Sequence, residues 1–355
     1  MSPPRPRIRH LPEDFRVDEV PAYAPCGSGD HTFVRVEKRL RTTEEVARAL
    51  ARAAGVRPRD VGYAGRKDRV AVTRQWLSVP ALDPEDALAL EWPGVRVLEA
   101  KRHGNKLRTG QLRGNRFLLV VRGVGADAAR AAERRLSEMA AVGMPNRFGS
   151  QRFGRDGDNA QLGRAVLSGE ASPRDRRAAR FAVSALQSEV FNEVLRRRPL
   201  PLDRLERGDI AMLEGSRGWF WVEDPEVENE RAARFEISPS GPIFGTKSPL
   251  PRDAVLERET AVLADLGIPA AESWRLPRGL RVRGARRPLR VRPEAPSIRH
   301  EDGRLELAFG LPSGSYATVL IEELLGEVDD GPAPAARIED DGQPRDDTVD
   351  GPAVS

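Results

Sequence analysis

The sequence predicts an α+β fold made of two units, and three observations support this prediction. The chain has 355 residues, which exceeds one typical domain. Short runs in which apolar residues alternate, such as 305–309, are typical of strands. Longer segments with apolar residues three and four positions apart, such as 182–194, are typical of helices. These two kinds of segment follow one another without a fixed-period repeat, so we expect sheets and helices in both units.

The first unit is predicted from residue 14 onwards. Short apolar stretches over 14–38, broken by Pro and Gly, predict strands joined by a turn. Thr42 and Glu45 have the spacing of a capping box, and the apolar face over 46–54 predicts a helix that Gly55 ends. The remaining elements of this unit follow in order: a strand over 70–79, a strand over 117–121 and a helix from Asp127 to Gly143.

From Pro145 onwards the sequence has a different character. Residues 146–157 are dense in Gly, Arg and Phe, and a helix is predicted over about 174–198. The stretch over 208–242 is rich in Gly and Pro and is expected to be mostly loop. The chain then returns to regular patterns: alternating strands at 289–292 and 305–309, and a final helix over about 317–327.

The chain has a net charge of +4, but this charge is unevenly distributed. Residues 329–355 carry eight acidic and two basic side chains, so residues 1–328 carry a net charge of +10. A basic body followed by an acidic segment rich in Pro and Gly is typical of a nucleic-acid-binding protein with a disordered appendage. Arginine enrichment from a GC-rich genome is the alternative explanation.

Several classes of function are not supported by the sequence. It has no run of about 18 apolar residues and no signal peptide, so we expect no membrane contact. Cys26 is the single cysteine, which excludes an intrachain disulfide and favours the cytoplasm. Phosphate-binding and dinucleotide-binding glycine motifs and the G-x-S-x-G elbow are absent, and four scattered histidines do not form a zinc site. We therefore expect neither a cofactor nor a metal.

The segment over 62–79 contains the strongest candidate for catalysis. Asp68 lies among four basic residues, Arg66, Lys67, Arg69 and Arg74. Nearby cations favour an ionised carboxylate, and they also attract a polyanion to the same place. The pattern indicates covalent or electrostatic catalysis on nucleic acid. The alternative is a surface turn with ordinary salt bridges.

The same segment resembles the signature of the tRNA pseudouridine-13 synthase (TruD) family. It reads Gly-Tyr-Ala-Gly-x-Lys-Asp-x-x-Ala-Val-Thr-x-Gln-Trp from Gly62 to Trp76. Five further blocks resemble motifs of that family and occur in the family's order: 12–19, 114–117, 145–154, 184–192 and 311–318.

The resemblance implies a pseudouridine synthase catalytic domain interrupted by a family-specific TRUD domain. The first part of the catalytic domain would span 1–145, the inserted TRUD domain 146–292 and the closing segment 293–328. Residues 329–355 would form an acidic disordered tail. The Asp68 loop and the Tyr316 segment would then meet in space, although they are far apart in the sequence.

The reaction that the resemblance implies breaks the N1–C1′ bond of a uridine and rejoins the base through C5. Asp68 matches the family's essential aspartate, which could attack C6, attack C1′ or abstract the C2′ proton. Arg9 matches its basic partner, where the family often has Lys. An arginine would hold the carboxylate in a bidentate fork. Arg9 could instead be a solvated charge near the N-terminus.

Two further sets of residues are implied by the resemblance. The family's substrate-binding residues match Phe15, Asn115, Phe117 and Tyr316. Because Asn115 and Phe117 are two apart on a predicted strand, they are expected to share a face. Outside the family context, each Phe would be read as a core residue. The residues expected to contact RNA are Arg66, Lys67, Arg147, Gln151 and Arg152, although each could belong to a solvated charged face.

The leading interpretation is thus a cytoplasmic, monomeric enzyme that modifies tRNA, by resemblance at uridine 13 of the D-arm. A pseudouridine synthase for another structured RNA and a non-catalytic RNA-binding module are the alternatives. A glycoside hydrolase would need a second carboxylate, for which Glu13, Asp14 and Glu19 are available.

Overall fold

The computed structural model describes residues 5–154, 157–173, 175–216 and 218–331, and it confirms the predicted α+β fold. The helices in these residues are α1 (Thr43–Ala53), α2 (Pro84–Leu88), α3 (Ala126–Val142), α4 (Asp158–Ser168), α5 (Arg176–Arg196), α6 (Pro225–Ala233), α7 (Asp253–Asp265) and α8 (Ala317–Leu325). None of them is long and apolar enough to cross a membrane.

The strands of the described residues form one large and two small sheets. They are β1 (Arg7–Ile8), β2 (Phe15–Pro21), β3 (His31–Arg39), β4 (Gly62–Tyr63), β5 (Val72–Pro80), β6 (Glu91–Trp92), β7 (Val95–His103), β8 (Leu112–Arg122), β9 (Met144–Pro145), β10 (Ile210–Leu213), β11 (Trp219–Trp221), β12 (Ile237–Ile243), β13 (Ala285–Pro288), β14 (Arg290–Val291), β15 (Glu294–Glu301), β16 (Arg304–Pro312) and β17 (Asp329–Asp330).

The predicted cap of α1 is confirmed, whereas the predicted cap of α3 is wrong. Thr42 caps α1 as expected, because its hydroxyl accepts from the Glu45 amide at 3.1 Å while the Glu45 carboxylate accepts from the Thr42 amide. In α3 the N-cap is Gly125, and Asp127 lies inside the first turn. The acidic side chain therefore stabilises the helix through its dipole and not as the cap.

The large sheet has the order β15-β16-β8-β2-β5-β3-β7-β6, with β1, β4 and β17 at its sides. Neighbouring strands in this sheet are antiparallel, except for the parallel pairs β2–β5 and β1–β17. Residues paired across neighbouring strands point to the same face. One such row runs across five strands through Phe309, Phe117, Val17, Thr73 and Lys38.

Two apolar clusters cover that face of the sheet. Helices α3 and α8 pack on β8 and β16 around Leu119 and Leu307, whereas α1 packs on β3 and β5 around Val36 and Leu77. Between the two clusters, the same face of the sheet carries buried polar side chains instead: Glu19, Lys38, Thr73 and Gln75. The sheet thus has a polar strip between two apolar cores, and this strip underlies the site described below.

The second unit contains the four-stranded sheet β11-β10-β12-β13 together with α4–α7. The short strands β9 and β14 pair at the two points where the chain leaves and re-enters the large sheet. All strands of the large sheet come from residues 7–122 and 294–330. This strand membership supports the proposed insertion between about 146 and 292, which remains a proposal.

The predicted start of the acidic tail needs correction. Residues Asp329 and Asp330 form β17, parallel to β1, and the Asp329 amide donates to the Pro6 carbonyl at 2.8 Å. The Gly331 amide donates to the Ile8 carbonyl at 3.1 Å. The basic residues of the N-terminal strand give the two acids partners that composition alone does not reveal. The rest of the predicted tail, 332–355, lies outside the described residues.

Two truncations test the role of β17. A chain ending at Val328 loses the backbone pairing with β1 and the acidic partners of Arg7 and Arg9, so it should be less stable than a chain ending at Gly331 by about 1–3 kcal/mol. Urea unfolding of the two proteins measures this difference. Equal stabilities would contradict a structural role for β17.

Candidate active site

A pocket on the polar strip of the large sheet brings together the residues that the sequence nominated for catalysis and base binding. It collects side chains from β2, β8, the residue after β1, the loop before β5 and the start of α8. Its lining residues are Arg9, Phe15, Val17, Arg66, Lys67, Asp68, Asn115, Phe117, Ser315, Tyr316, Ala317 and Thr318. The segments that contain Asp68 and Tyr316 therefore meet, as expected.

Asp68 lies in the loop between β4 and β5, and its side chain is 47% exposed. Its Oδ2 accepts from Arg9 Nη2 at 2.9 Å. Arg9 is only 6% exposed, and its guanidinium lies 3.9 Å from the centre of the Phe15 ring, which favours the cation. Among the described residues that line the pocket, Asp68 is the only carboxylate.

The expected bidentate fork between Arg9 and Asp68 is not formed. Only Nη2 of Arg9 bonds to Asp68, because Nη1 donates to Asp330 Oδ2 at 2.5 Å. The guanidinium therefore bridges two carboxylates, one from the loop before β5 and one from β17. The sequence did not indicate this second partner.

The Asp68 loop is fixed by buried groups. Lys67 Nζ pairs with the Glu19 carboxylate at 2.7 Å, and both side chains are almost fully buried. Lys38 Nζ donates to the backbone carbonyl of Asp68 at 2.7 Å. On the other side, the Lys67 amide donates to Thr43 Oγ1 at 2.9 Å. The carboxylate is thus held by its backbone and not only by its ion pair.

Lys67 does not have the geometry expected of an RNA contact. Its side chain is 6% exposed and its ammonium is paired with Glu19, so a phosphate cannot reach it. Glu19 is in turn occupied by this pair, and the buried Asp14 forms two bonds to Arg122. Neither carboxylate lines the pocket, so the second acid that a glycoside hydrolase needs is not there among the described residues.

Phe15 and Phe117 are part of the core as well as of the pocket. They are 3% and 9% exposed, and their rings meet edge to face with centres 6.3 Å apart. Phe117 also stacks on Phe309 at 5.2 Å. Each of the two alternatives for Phe117, core packing and base stacking, is therefore compatible with its position.

Asn115 offers an unused acceptor inside the pocket. Its Oδ1 is buried and has no hydrogen-bond partner among the described residues. Leaving such an atom unpaired costs free energy, so a donor from a bound molecule is a natural partner. Asn115 and Phe117 both line the pocket, which confirms that they share a face of β8.

Tyr316 precedes α8 and is half-buried, with its ring edge to face with Phe148 at 6.0 Å. Arg287, which the sequence reading missed, organises this region. It donates to the Gly314 carbonyl at 2.8 Å and to Asn146 Oδ1 at 2.5 Å, and it lies over the Phe148 ring at 4.3 Å. Burial lowers the pKa of Arg287 to about 10. Its position outside the recognisable motifs left no sequence signal for this role.

The remaining nominated residues lie around the pocket in different environments. Arg66 is 76% exposed and contacts Glu44, whereas Arg147 is paired with Glu322 of α8 at 2.7 Å. Arg152 donates to Ser184 and Ser188 of α5. The side chain of Gln151 lies outside the described part of the structure.

Comparison with known proteins gives consistent matches over most of the chain. A model of the family described as tRNA pseudouridine synthase D (TruD) matches residues 4–173 and 175–324. A tRNA pseudouridine synthase D from Anaeromyxobacter sp. is 48% identical over 326 residues, covering 90% of this chain and 92% of that protein. One from Geobacter metallireducens is 38% identical over 381 residues, covering 90% and 94%.

The fold is similar to that of a Methanosarcina mazei crystal structure that carries the TruD name. The TM-score is 0.72 at 22% identity, covering 90% of this chain and 93% of that one, so this match supports the fold alone. The sequence matches define the chain as a pseudouridine synthase, an enzyme of the isomerase class. It belongs to the tRNA pseudouridine synthase D (TruD) family.

The buried Lys38 makes stability depend on pH. Burial lowers its pKa from 10.5 to about 8, so between these values the unfolded chain binds the extra proton. The penalty of burying the charged ammonium is full below pH 8 and disappears as the pH rises towards 10.5. The free energy of unfolding of the natural protein, minus that of Lys38→Met, should therefore rise by about 1–3 kcal/mol from pH 7 to pH 10. Urea titrations at both pH values test this, and a constant or falling difference would contradict it.

Proposed function

We propose that this chain converts a uridine of tRNA into pseudouridine, with Asp68 as the essential carboxylate and without a cofactor. The observation that carries the proposal is the half-exposed Asp68 in a pocket that offers an arginine, an unpaired amide oxygen and aromatic rings. Uridine 13 of the D-arm is the proposed target because the motifs resemble those of the family named for that position. The names of the similar proteins support tRNA as the substrate.

The isomerisation needs one carboxylate and no external reactant. The N1–C1′ bond breaks, the base turns and C5 bonds to C1′. C5 then loses its proton and N1 gains one, so the product is an isomer of the substrate. Oδ2 of Asp68 is held by Arg9, while Oδ1 has no hydrogen bond among the described residues, so we assign Oδ1 to the reacting atom. Attack at C6, attack at C1′ and abstraction of the C2′ proton all begin from this oxygen. Arg9 stabilises the ionised carboxylate in each case.

A uridine in a folded RNA must leave its stack to reach this pocket. Oδ1 of Asn115 would accept the N3–H of uracil and so end its own unpaired state. The rings of Phe117 and Tyr316 would pack against the base, at about 1–3 kcal/mol per stacked ring. A cytosine lacks the N3–H, which makes Asn115 a reader of the base as well as a contact.

Arg66 and Arg152 are the nominated residues best placed for RNA phosphates. Arg66 is exposed at the pocket rim, and the guanidinium of Arg152 lies 5.3 Å from the ring of Phe181, which is 44% exposed. An arginine next to an exposed ring suits a nucleotide outside a duplex. Arg147 is less suited, because binding a phosphate would compete with its pair to Glu322.

Replacement of Asp68 tests the proposed chemistry. Unmodified tRNA is incubated with the enzyme, and pseudouridine is mapped at nucleotide resolution by carbodiimide modification. Asp68→Asn should lower the rate by at least about a hundredfold while tRNA affinity changes only a few-fold. A residual rate above about a hundredth of the natural rate would refute the role of Asp68.

Asp18 provides a matched control for this experiment. It is a similarly exposed carboxylate on β2, next to Val17 in sequence and therefore on the opposite face of the sheet. Asp18→Asn should keep the natural rate.

The same mapping with the natural protein tests the proposed target. A pseudouridine at another position of the tRNA would confirm the enzyme class but refute uridine 13 as the target.

The two roles of Phe117 can be separated with Phe309, which stacks on it and does not line the pocket. Phe117→Leu and Phe309→Leu should each cost about 1 kcal/mol of stability because both remove ring packing. Only Phe117→Leu should also lower kcat/KM, by about tenfold or more, because only it removes a ring from the base. Melting temperature and single-turnover rate are measured on both variants. Equal single-turnover rates for the two variants would refute the proposed stacking of Phe117 on the base.

A further inference from the structure

We infer that Asp330 is a positioning residue that sets the orientation of the Arg9 guanidinium relative to Asp68. The inference rests on the proposed function, since it concerns the same carboxylate. Asp330 lies on β17, the two-residue strand that pairs with β1, and Arg9 is the residue that follows β1. Its carboxylate accepts from Arg9 Nη1 at 2.5 Å.

The guanidinium of Arg9 has few other anchors. Its Nε is buried without a partner among the described residues, so its polar contacts there are Nη1 with Asp330 and Nη2 with Asp68. The ring of Phe15 lies below its plane and does not fix its rotation within that plane. Asp330 therefore determines which edge of the guanidinium faces the pocket.

The backbone of Arg9 depends on the same strand. Arg9 has a φ of +52°, a left-handed conformation that non-glycine residues adopt only where their surroundings hold them. Ile8, directly before it, is buried, and its carbonyl accepts from the Gly331 amide at 3.1 Å. Asp330 thus holds the side chain while its own strand holds the backbone.

The consequence for Asp68 is chemical. An arginine next to a lone carboxylate prefers two parallel bonds, one to each oxygen. With Nη1 on Asp330 and Nε buried without a partner among the described residues, Arg9 gives Asp68 one bond, through Nη2, which leaves Oδ1 open to the substrate. Without Asp330, the fork is free to turn and cover both oxygens of Asp68, and the reacting atom would be blocked.

Asp329 gives a matched control on the same strand. It pairs with Arg7 at 2.6 Å and is exposed to a similar degree as Asp330, and neither aspartate lines the pocket. The two differ in that only Asp330 bonds to Arg9. A purely structural role of the β17 acids predicts that the two aspartates behave alike. A positioning role predicts that only Asp330 affects the rate.

The test measures single-turnover rate on unmodified tRNA, KM and melting temperature for Asp330→Asn and Asp329→Asn. Asp330→Asn should lower the rate by about tenfold or more with KM within about twofold, because reacting groups are misplaced while RNA contacts remain. Asp329→Asn should keep the natural rate, and Asp330→Glu should recover part of the loss. Equal rates for Asp330→Asn and Asp329→Asn would overturn the inference.

A double-mutant cycle with Arg9→Met shows whether Asp330 acts through Arg9. In the Arg9→Met background, Asp330→Asn should cause no further loss, since the group that it positions is gone. An equal loss in both backgrounds would overturn the inference.

The natural protein is assayed in the same experiment, so the two proposals can be separated. An inactive natural protein would refute the proposed function and this inference with it. An active natural protein with an unaffected rate for Asp330→Asn would refute the inference alone.

Discussion

The ion pair between Lys67 and Glu19 is the interaction on which the site depends. Both side chains are almost fully buried, so each charge has lost its hydration and depends on the other. Removing one partner of such a pair typically costs about 3–5 kcal/mol, because the remaining charge has no substitute for water. Glu19 also accepts from the Trp76 amide at 3.3 Å, which ties the pair to β5. The residue directly after Lys67 is Asp68, so this pair fixes the position of the carboxylate that we propose as the reacting group.

The arrangement of the cores explains why charged groups can be buried here. The two apolar clusters cover opposite halves of one sheet face and meet at the central strands, where part of β2 belongs to one cluster and part of β5 to the other. The polar strip lies between them on this face. Polar groups buried in this strip need hydrogen-bond partners within the protein. Lys38 and Thr43 bond to the Asp68 loop, and Thr43 also bonds to Gln75. A continuous apolar core would leave no place for the charged groups that hold the Asp68 loop.

Much of this arrangement was predictable from local sequence, but the long-range pairs were not. The capping box of α1 and the shared face of Asn115 and Phe117 follow from periodicity, which acts over a few residues. The family motifs nominated residues that the structure gathers in one pocket. Lys67 was expected to contact RNA because its charge is evident in the sequence, whereas its partner Glu19, 48 residues earlier, is not. Asp330 was assigned to a disordered tail for the same reason, since its partner Arg9 is 321 residues away.

The bridge between Asp68 and Asp330 also gives a reason for arginine at position 9. A lysine is a single point charge at the end of a flexible chain, whereas a guanidinium has two Nη groups in a rigid plane. In Arg9 the two Nη groups bond to two different carboxylates in fixed directions, while the face of the guanidinium packs on the Phe15 ring. Arg9 and Asp330 thus form one unit of the proposed site, in which the bond from Nη1 to Asp330 leaves Nη2 to bond to Asp68.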